Sequence, residues 1–164
     1  ATEAVIVAAA RTPTGSINGS LKSFTAPQLG SAALKHALAS QNMDPSIGDE
    51  IYFGNVVQAG VGQSPARQAA LAAGLSTSSD ATTINKVCAS GMKSVMLAAQ
   101  SIQLGQRSVV AAGGMESMSN APLWVAAERL SPKSILFPER YKTHTPWESY
   151  KRTKKGWKEG ALHP

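Results

Sequence analysis

A chain of 164 residues, 43% hydrophobic, 16% charged and 5% aromatic, is long enough for one domain with a buried core but not for two large ones. Unperiodic glycine, modest charge and plentiful apolar residues exclude collagen, coiled coil and wholesale disorder. No stretch approaches the roughly 20 apolar residues that cross a bilayer, and the lone cysteine, Cys88, excludes an internal disulfide or a cysteine-based zinc site and fits a reducing compartment.

In chain order, Ala1-Thr-Glu-Ala-Val has no basic region ahead of its apolar run and is not read as a secretory signal; the bare Ala1 start is compatible with a removed organelle leader or with trimming. Ala4–Ala10 is a continuous apolar run ending at Arg11-Thr-Pro13, which predicts a strand buried on both faces. Thr25-Ala-Pro27-Gln28 reads as a capping box with proline in the first turn, opening a helix whose apolar face is Leu29, Ala33 and Ala37, flanked by Leu34 and Leu38. A second strand is expected over Glu50–Val57. A second helix is expected from the Ser64-Pro65 cap to Gly74. Asp80–Val87, rich in β-branched residues, is a third strand. Met92, Val95, Met96, Ala99, Ile102 and Gln103 then follow helical spacing up to Gly105, and Ser108–Ala112 is a last short strand.

Strands alternating with helices across short turns predict an α/β fold, a mainly parallel sheet built from βαβ units. The net charge of +6 is spread unevenly: residues 1–122 carry 7 Lys+Arg against 6 Asp+Glu, whereas residues 123–164 carry 9 against 4, with all three tryptophans and 2 of the 14 glycines. Composition therefore changes near Pro122, dividing residues 1–122 from an irregular basic tail, 123–164. The tail holds Lys151-Arg-Thr-Lys-Lys155 beside Tyr150 and Trp157 and has no sustained period; one short helix near Trp147 is the most structure it suggests.

The chemistry concentrates in Asn85-Lys-Val-Cys88-Ala-Ser-Gly91-Met-Lys-Ser. A strand leads into Cys88, small residues turn, and a helix starts at once. That places sulfur near unpaired N–H groups at a helix N-terminus, where the dipole favours the nucleophilic thiolate and the same N–H groups would stabilise an oxyanion. The logic is that of the strand–turn–helix elbow presenting a hydrolase serine. On spacing alone, a buried, inert Cys88 stands as the alternative. Gly113-Gly114 and Thr14–Gly19 read as turns without dinucleotide or phosphate-loop spacing. His36 reads as a solvated or core-edge residue, and His144 and His163 have no ligand partners at metal spacing. Asp49-Glu50 adjoins a strand start and is not read as a catalytic pair; Glu116 follows the last strand, where α/β sheets place ligands, and is read as structural.

Asn85-Lys-Val-Cys-Ala-Ser-Gly-Met-Lys93 and Gly113-Gly-Met-Glu-Ser-Met-Ser-Asn-Ala-Pro122 resemble two signature stretches of thiolases, and Arg11-Thr-Pro13 and Gly62-Gln-Ser-Pro-Ala-Arg-Gln68 match the same pattern. The resemblance runs almost continuously over residues 4–122 and is strongest to the biosynthetic acetyl-CoA acetyltransferase type. It implies that Cys88 is the acyl-accepting nucleophile: its thiolate takes acetyl from acetyl-CoA, and a second, α-deprotonated acetyl-CoA attacks to give acetoacetyl-CoA, reversibly. A coenzyme A thioester enters as substrate, with no separate cofactor and no metal; the residues that would bind it are not identified. The resemblance further implies a homo-oligomer, in cytosol, mitochondria or peroxisomes, of which a mitochondrial or cytoplasmic location is expected here.

Members of that family are longer, with two similar βαβαβαββ halves. The second half supplies an activating histidine, a second cysteine as α-proton base, and an Asn–His pair at the thioester oxygen. In this sequence Cys88 is the sole cysteine and Leu162-His163-Pro164 lacks the glycines that flank the family's His-Pro turn. From Trp124 onward nothing resembles the expected loop domain, a change of the kind that a shifted reading frame, a retained intron or a misplaced exon produces. Little or no turnover is expected of these 164 residues alone. Two other function classes remain: a non-catalytic fragment that binds full-length thiolase subunits, and a basic tail that binds nucleic acid or anionic membrane. Charge runs are usually solvated segments, so the expectation is no nucleic acid and no membrane partner.

Overall fold

Three five-residue strands carry the fold. The computed structural model describes residues 2–122: β1 is Glu50–Gly54, β2 Asp80–Ile84 and β3 Val110–Gly114. They form one parallel sheet in the order β2-β1-β3, with Glu50 level with both Asp80 and Val110. Helix α1 (Ala26–Ser40) precedes the sheet, α2 (Pro65–Ala73) crosses from β1 to β2 and α3 (Ser90–Gln103) from β2 to β3, with short 3-10 turns at Pro45–Ile47 and Met118–Asn120. This is the expected α/β arrangement, and each strand that forms lies within three residues of its predicted bounds.

The central strand is the buried one. Ile51 and Phe53 of β1 are buried with Leu34 of α1, Leu75, Met115 and four alanines of α2, Ala66, Ala69, Ala70 and Ala73. Full burial of Ile51 alone contributes about 1.5–3 kcal/mol. Because side chains alternate along a strand, Tyr52 and Gly54 face the other way, toward α3. The α1–α2 layer is held close by missing side chains. A Cβ on Gly30 would lie 2.7 Å from the Met115 sulfur and 3.0 Å from the Phe53 ring.

The capping box forms as read: the Gln28 N–H donates to Thr25 Oγ1 and the Thr25 N–H to Gln28 Oε1. The buried stripe of α1 is Ala26, Pro27, Gly30 and Leu34, turned from the expected Leu29–Ala33–Ala37 line because Gly30 permits the closest approach. Gly74 closes α2 with φ 97°. Ser64 does not cap it. Its backbone is left-handed, φ 44°, and the Ala66 N–H is taken instead by the Thr83 hydroxyl at 3.0 Å.

Three further expectations are corrected. Ala4–Ala10 forms no strand: Val5, Ile6 and Val7 are 66, 82 and 60% exposed. A run that is apolar at every position needs a ladder partner and cover on both faces, and the three strands described supply neither. Gly113 and Gly114 are not a turn but the end of β3, where side chains would strike the Phe53 ring (3.1 Å) and the Gly91 Cα (3.2 Å). In α3 the helical period holds but the face is inverted. Ser90, Ser94, Ala98 and Ser101 are buried while Met92, Val95 and Met96 are exposed, because the sheet admits only small residues there. The tail, with the basic cluster, the Trp147 helix, His144 and His163, lies outside the described residues.

Candidate active site

Cys88 sits at the C-terminal end of β2 and two residues ahead of α3. It is exposed, not buried. The turn that carries it is tightly bonded. Asn85 Oδ1 accepts from the Val87 N–H at 3.1 Å, and its Nδ2 donates to the Val56 carbonyl at 3.4 Å. The Ala89 and Ser90 N–H groups bond back to the Lys86 and Val87 carbonyls. No side chain caps α3, so the first turn keeps its donors for whatever stands beside it.

Val87 has φ 50°. For a β-branched residue this is an outlier with a strain cost of about 1–3 kcal/mol. Something must hold it, and the sheet contributes through glycine. A Cβ on Gly54 would lie 2.6 Å from the Ser90 carbonyl carbon and 2.7 Å from the Gly91 nitrogen. The N-terminus of α3 therefore rests directly on the C-terminal end of β1.

Glu116 does what the sequence reading gave it. Its carboxylate accepts from the Val56 N–H (2.9 Å), the Val57 N–H (3.1 Å) and Asn55 Nδ2 (2.7 Å). It fastens the loop after β1 to the loop after β3. Asn55 is 1% exposed and its Oδ1 has no partner among the described residues; the sequence reading passed over it, and a polar residue ending a buried strand was the signal available. Asp49 and Glu50 lie at the opposite end of the sheet, bonded to the Ser108 and Val109 N–H groups and to Arg107. His36 is exposed. Arg67 and Gln68, from the Gly62–Gln68 stretch, brace loops: Arg67 donates to the Ser79 and Thr77 carbonyls, Gln68 to those of Val61 and Gln63.

A cleft of about 410 Å³ opens between residues 10–17 and 114–119. Cys88 is not in its walls, so the cleft and the cysteine elbow are separate features of the described residues. Among the described residues no cluster of three metal-ligating side chains occurs.

Cys88 is thus an exposed cysteine on a strand–helix elbow of a parallel α/β sheet. The family model described as "Thiolase, N-terminal domain" matches residues 4–159, and the chain belongs to the thiolase family. The match continues past Pro122 into the basic tail. Acetyl-CoA acetyltransferase 2 of Arabidopsis thaliana is 60% identical over 124 residues, 76% of this chain and 31% of the relative. The mitochondrial acetyl-CoA acetyltransferase of Xenopus tropicalis is 59% identical over 120 residues, 73% and 29% of the two chains. The crystal structure of Acat5 thiolase from Ascaris suum in complex with coenzyme A superimposes with TM-score 0.75 at 43% identity, covering 77% of this chain and 33% of that one. The chain thus spans about a third of the length of the relatives it matches.

Proposed function

We propose that these residues form the nucleophile-bearing part of an acetyl-CoA C-acetyltransferase, with Cys88 as the catalytic residue. The Cys88 thiolate attacks the carbonyl carbon of acetyl-CoA, a carbon–sulfur bond forms to the enzyme, and the coenzyme A thiolate leaves and takes up a proton. The Cys88 backbone N–H supplies part of the oxyanion hole. An α-carbanion from a second acetyl-CoA then displaces the enzyme sulfur to give acetoacetyl-CoA. The substrate is the coenzyme A thioester itself, and no metal or further cofactor takes part. The working form is a homo-oligomer in mitochondria or cytoplasm; relatives named for each compartment are similar to this chain.

The observation that carries this reading is the exposed Cys88 at the head of α3. These 164 residues contain one cysteine, so a second cysteine base is not among them. Incubated with acetyl-CoA, the purified chain is expected to gain one acetyl group on Cys88 by intact mass, to lose that gain in Cys88→Ala, and to form no acetoacetyl-CoA at an ordinary enzymatic rate. Acetylation elsewhere overturns the assignment of Cys88; steady condensation overturns the expectation that these residues alone do not turn over.

The apolar outer face of α3, Met92, Val95 and Met96, favours a second reading: by itself the chain is a non-catalytic partner of full-length thiolase subunits. Co-expression with a full-length subunit then yields mixed oligomers, and Met92→Lys/Met96→Lys abolishes them.

A further inference from the structure

We propose that Ser90 is a positioning residue for the Cys88 nucleophile, acting by holding the strained backbone of Val87. The inference rests on the acyl-accepting reading of Cys88. Ser90 Oγ accepts from the Lys86 N–H at 2.8 Å and donates to the Val87 carbonyl at 2.6 Å. One hydroxyl therefore brackets Val87 on both sides. Ser90 is 4% exposed, so water has no access to replace it, and its Cβ lies 2.7 Å from where a side chain on Gly54 would begin, a place that only glycine leaves to it.

Val87 cannot hold itself. Its side chain is 66% exposed and packs into no core that would enforce φ 50°. Elsewhere on the same helix face, Ser94 Oγ merely bonds back to the Ser90 carbonyl at 3.0 Å, an ordinary internal helix bond. Ser90 instead spends its hydroxyl on the elbow. With that hydroxyl gone, the Lys86 N–H loses its partner and the turn is free to relax toward negative φ. Cys88, the next residue, then leaves its place over the head of α3.

The test follows the acetylation rate of Cys88 from acetyl-CoA by intact mass, using the 164-residue chain. Ser90→Ala is expected to slow it roughly tenfold, the effect of losing one buried hydrogen bond on an aligned nucleophile. Val87→Gly/Ser90→Ala is expected to recover to within about threefold of wild type, because glycine adopts positive φ without strain. A hydroxyl that only stabilises the fold would give no such rescue. An S90A chain as fast as wild type, or a folded double variant as slow as S90A, overturns the positioning role alone. A wild-type chain that takes no acetyl on Cys88 overturns the nucleophile reading and this inference with it. Should S90A lose its helical circular dichroism, V87G and V87G/S90A are compared: equal rates support the role, and a tenfold slower double variant overturns it.

Discussion

The two ends of the sheet use one device with different results. At the end where the strands start, Asp49 precedes β1 and accepts from two consecutive N–H groups before β3, Ser108 and Val109. At the end where they finish, Glu116 follows β3 and accepts from two consecutive N–H groups after β1, Val56 and Val57. The first end adds redundancy: Arg107 joins Glu50 of β1 to Asp80 of β2. The second end adds liabilities, an Asn55 oxygen without a partner among the described residues and a left-handed Val87. Backbone strain is concentrated at the end that carries Cys88, while the opposite end is braced by ion pairs.

The comparison breaks most visibly at Glu116. Glu116→Ala leaves the Val56 and Val57 N–H groups without their acceptor and the Asn55 amide with the Met115 carbonyl alone, and a loss of about 2–3 kcal/mol in urea unfolding is expected. A loss below about 1 kcal/mol would mean that the finishing end is braced from elsewhere. Thr25→Ala, which removes the α1 cap and none of the hydrogen bonds of either acid, should cost about 1 kcal/mol in the same measurement.

Asp49 sharpens the contrast by pH. Its carboxyl is held below the ordinary carboxylate range, first by the Val109 N–H and then by the Ser108 N–H. A lowered native pKa gives stability that is present above the unfolded value, about 3.9, and is lost as pH falls through the native value. Asp49→Asn should therefore have a lower urea midpoint than wild type at pH 7. The gap should close as pH falls below about 4. A gap constant from pH 7 to 3 would show that the acid's charge contributes nothing.

Most of the frame was legible in the sequence. Proline-opened helices, the Thr25–Gln28 box and β-branched Thr82, Thr83 and Ile84 are local signals, and local physics honours them. The place of Cys88 between a strand and a helix was legible because the small residues that follow it mark the turn. What escaped was relational. The inversion of α3 depends on Gly54 and Gly114 lying beneath it, and no period within the helix reports what it rests on. Ala4–Ala10 has the composition of a buried strand, but composition cannot supply a neighbour. Ser90 read as one more small turn residue, since its bonds to Lys86 and Val87 exist only once the elbow has closed.

The uncovered run near the start bears on how such a chain behaves in a cell. Val5–Ala10 is six residues without charge or proline, half of them β-branched, which is the composition of segments that stack into cross-β assemblies. Val5, Ile6 and Val7 are open to solvent, so they need no unfolding of the core before they can meet another copy. A chaperone that binds extended apolar peptide would find its site already presented.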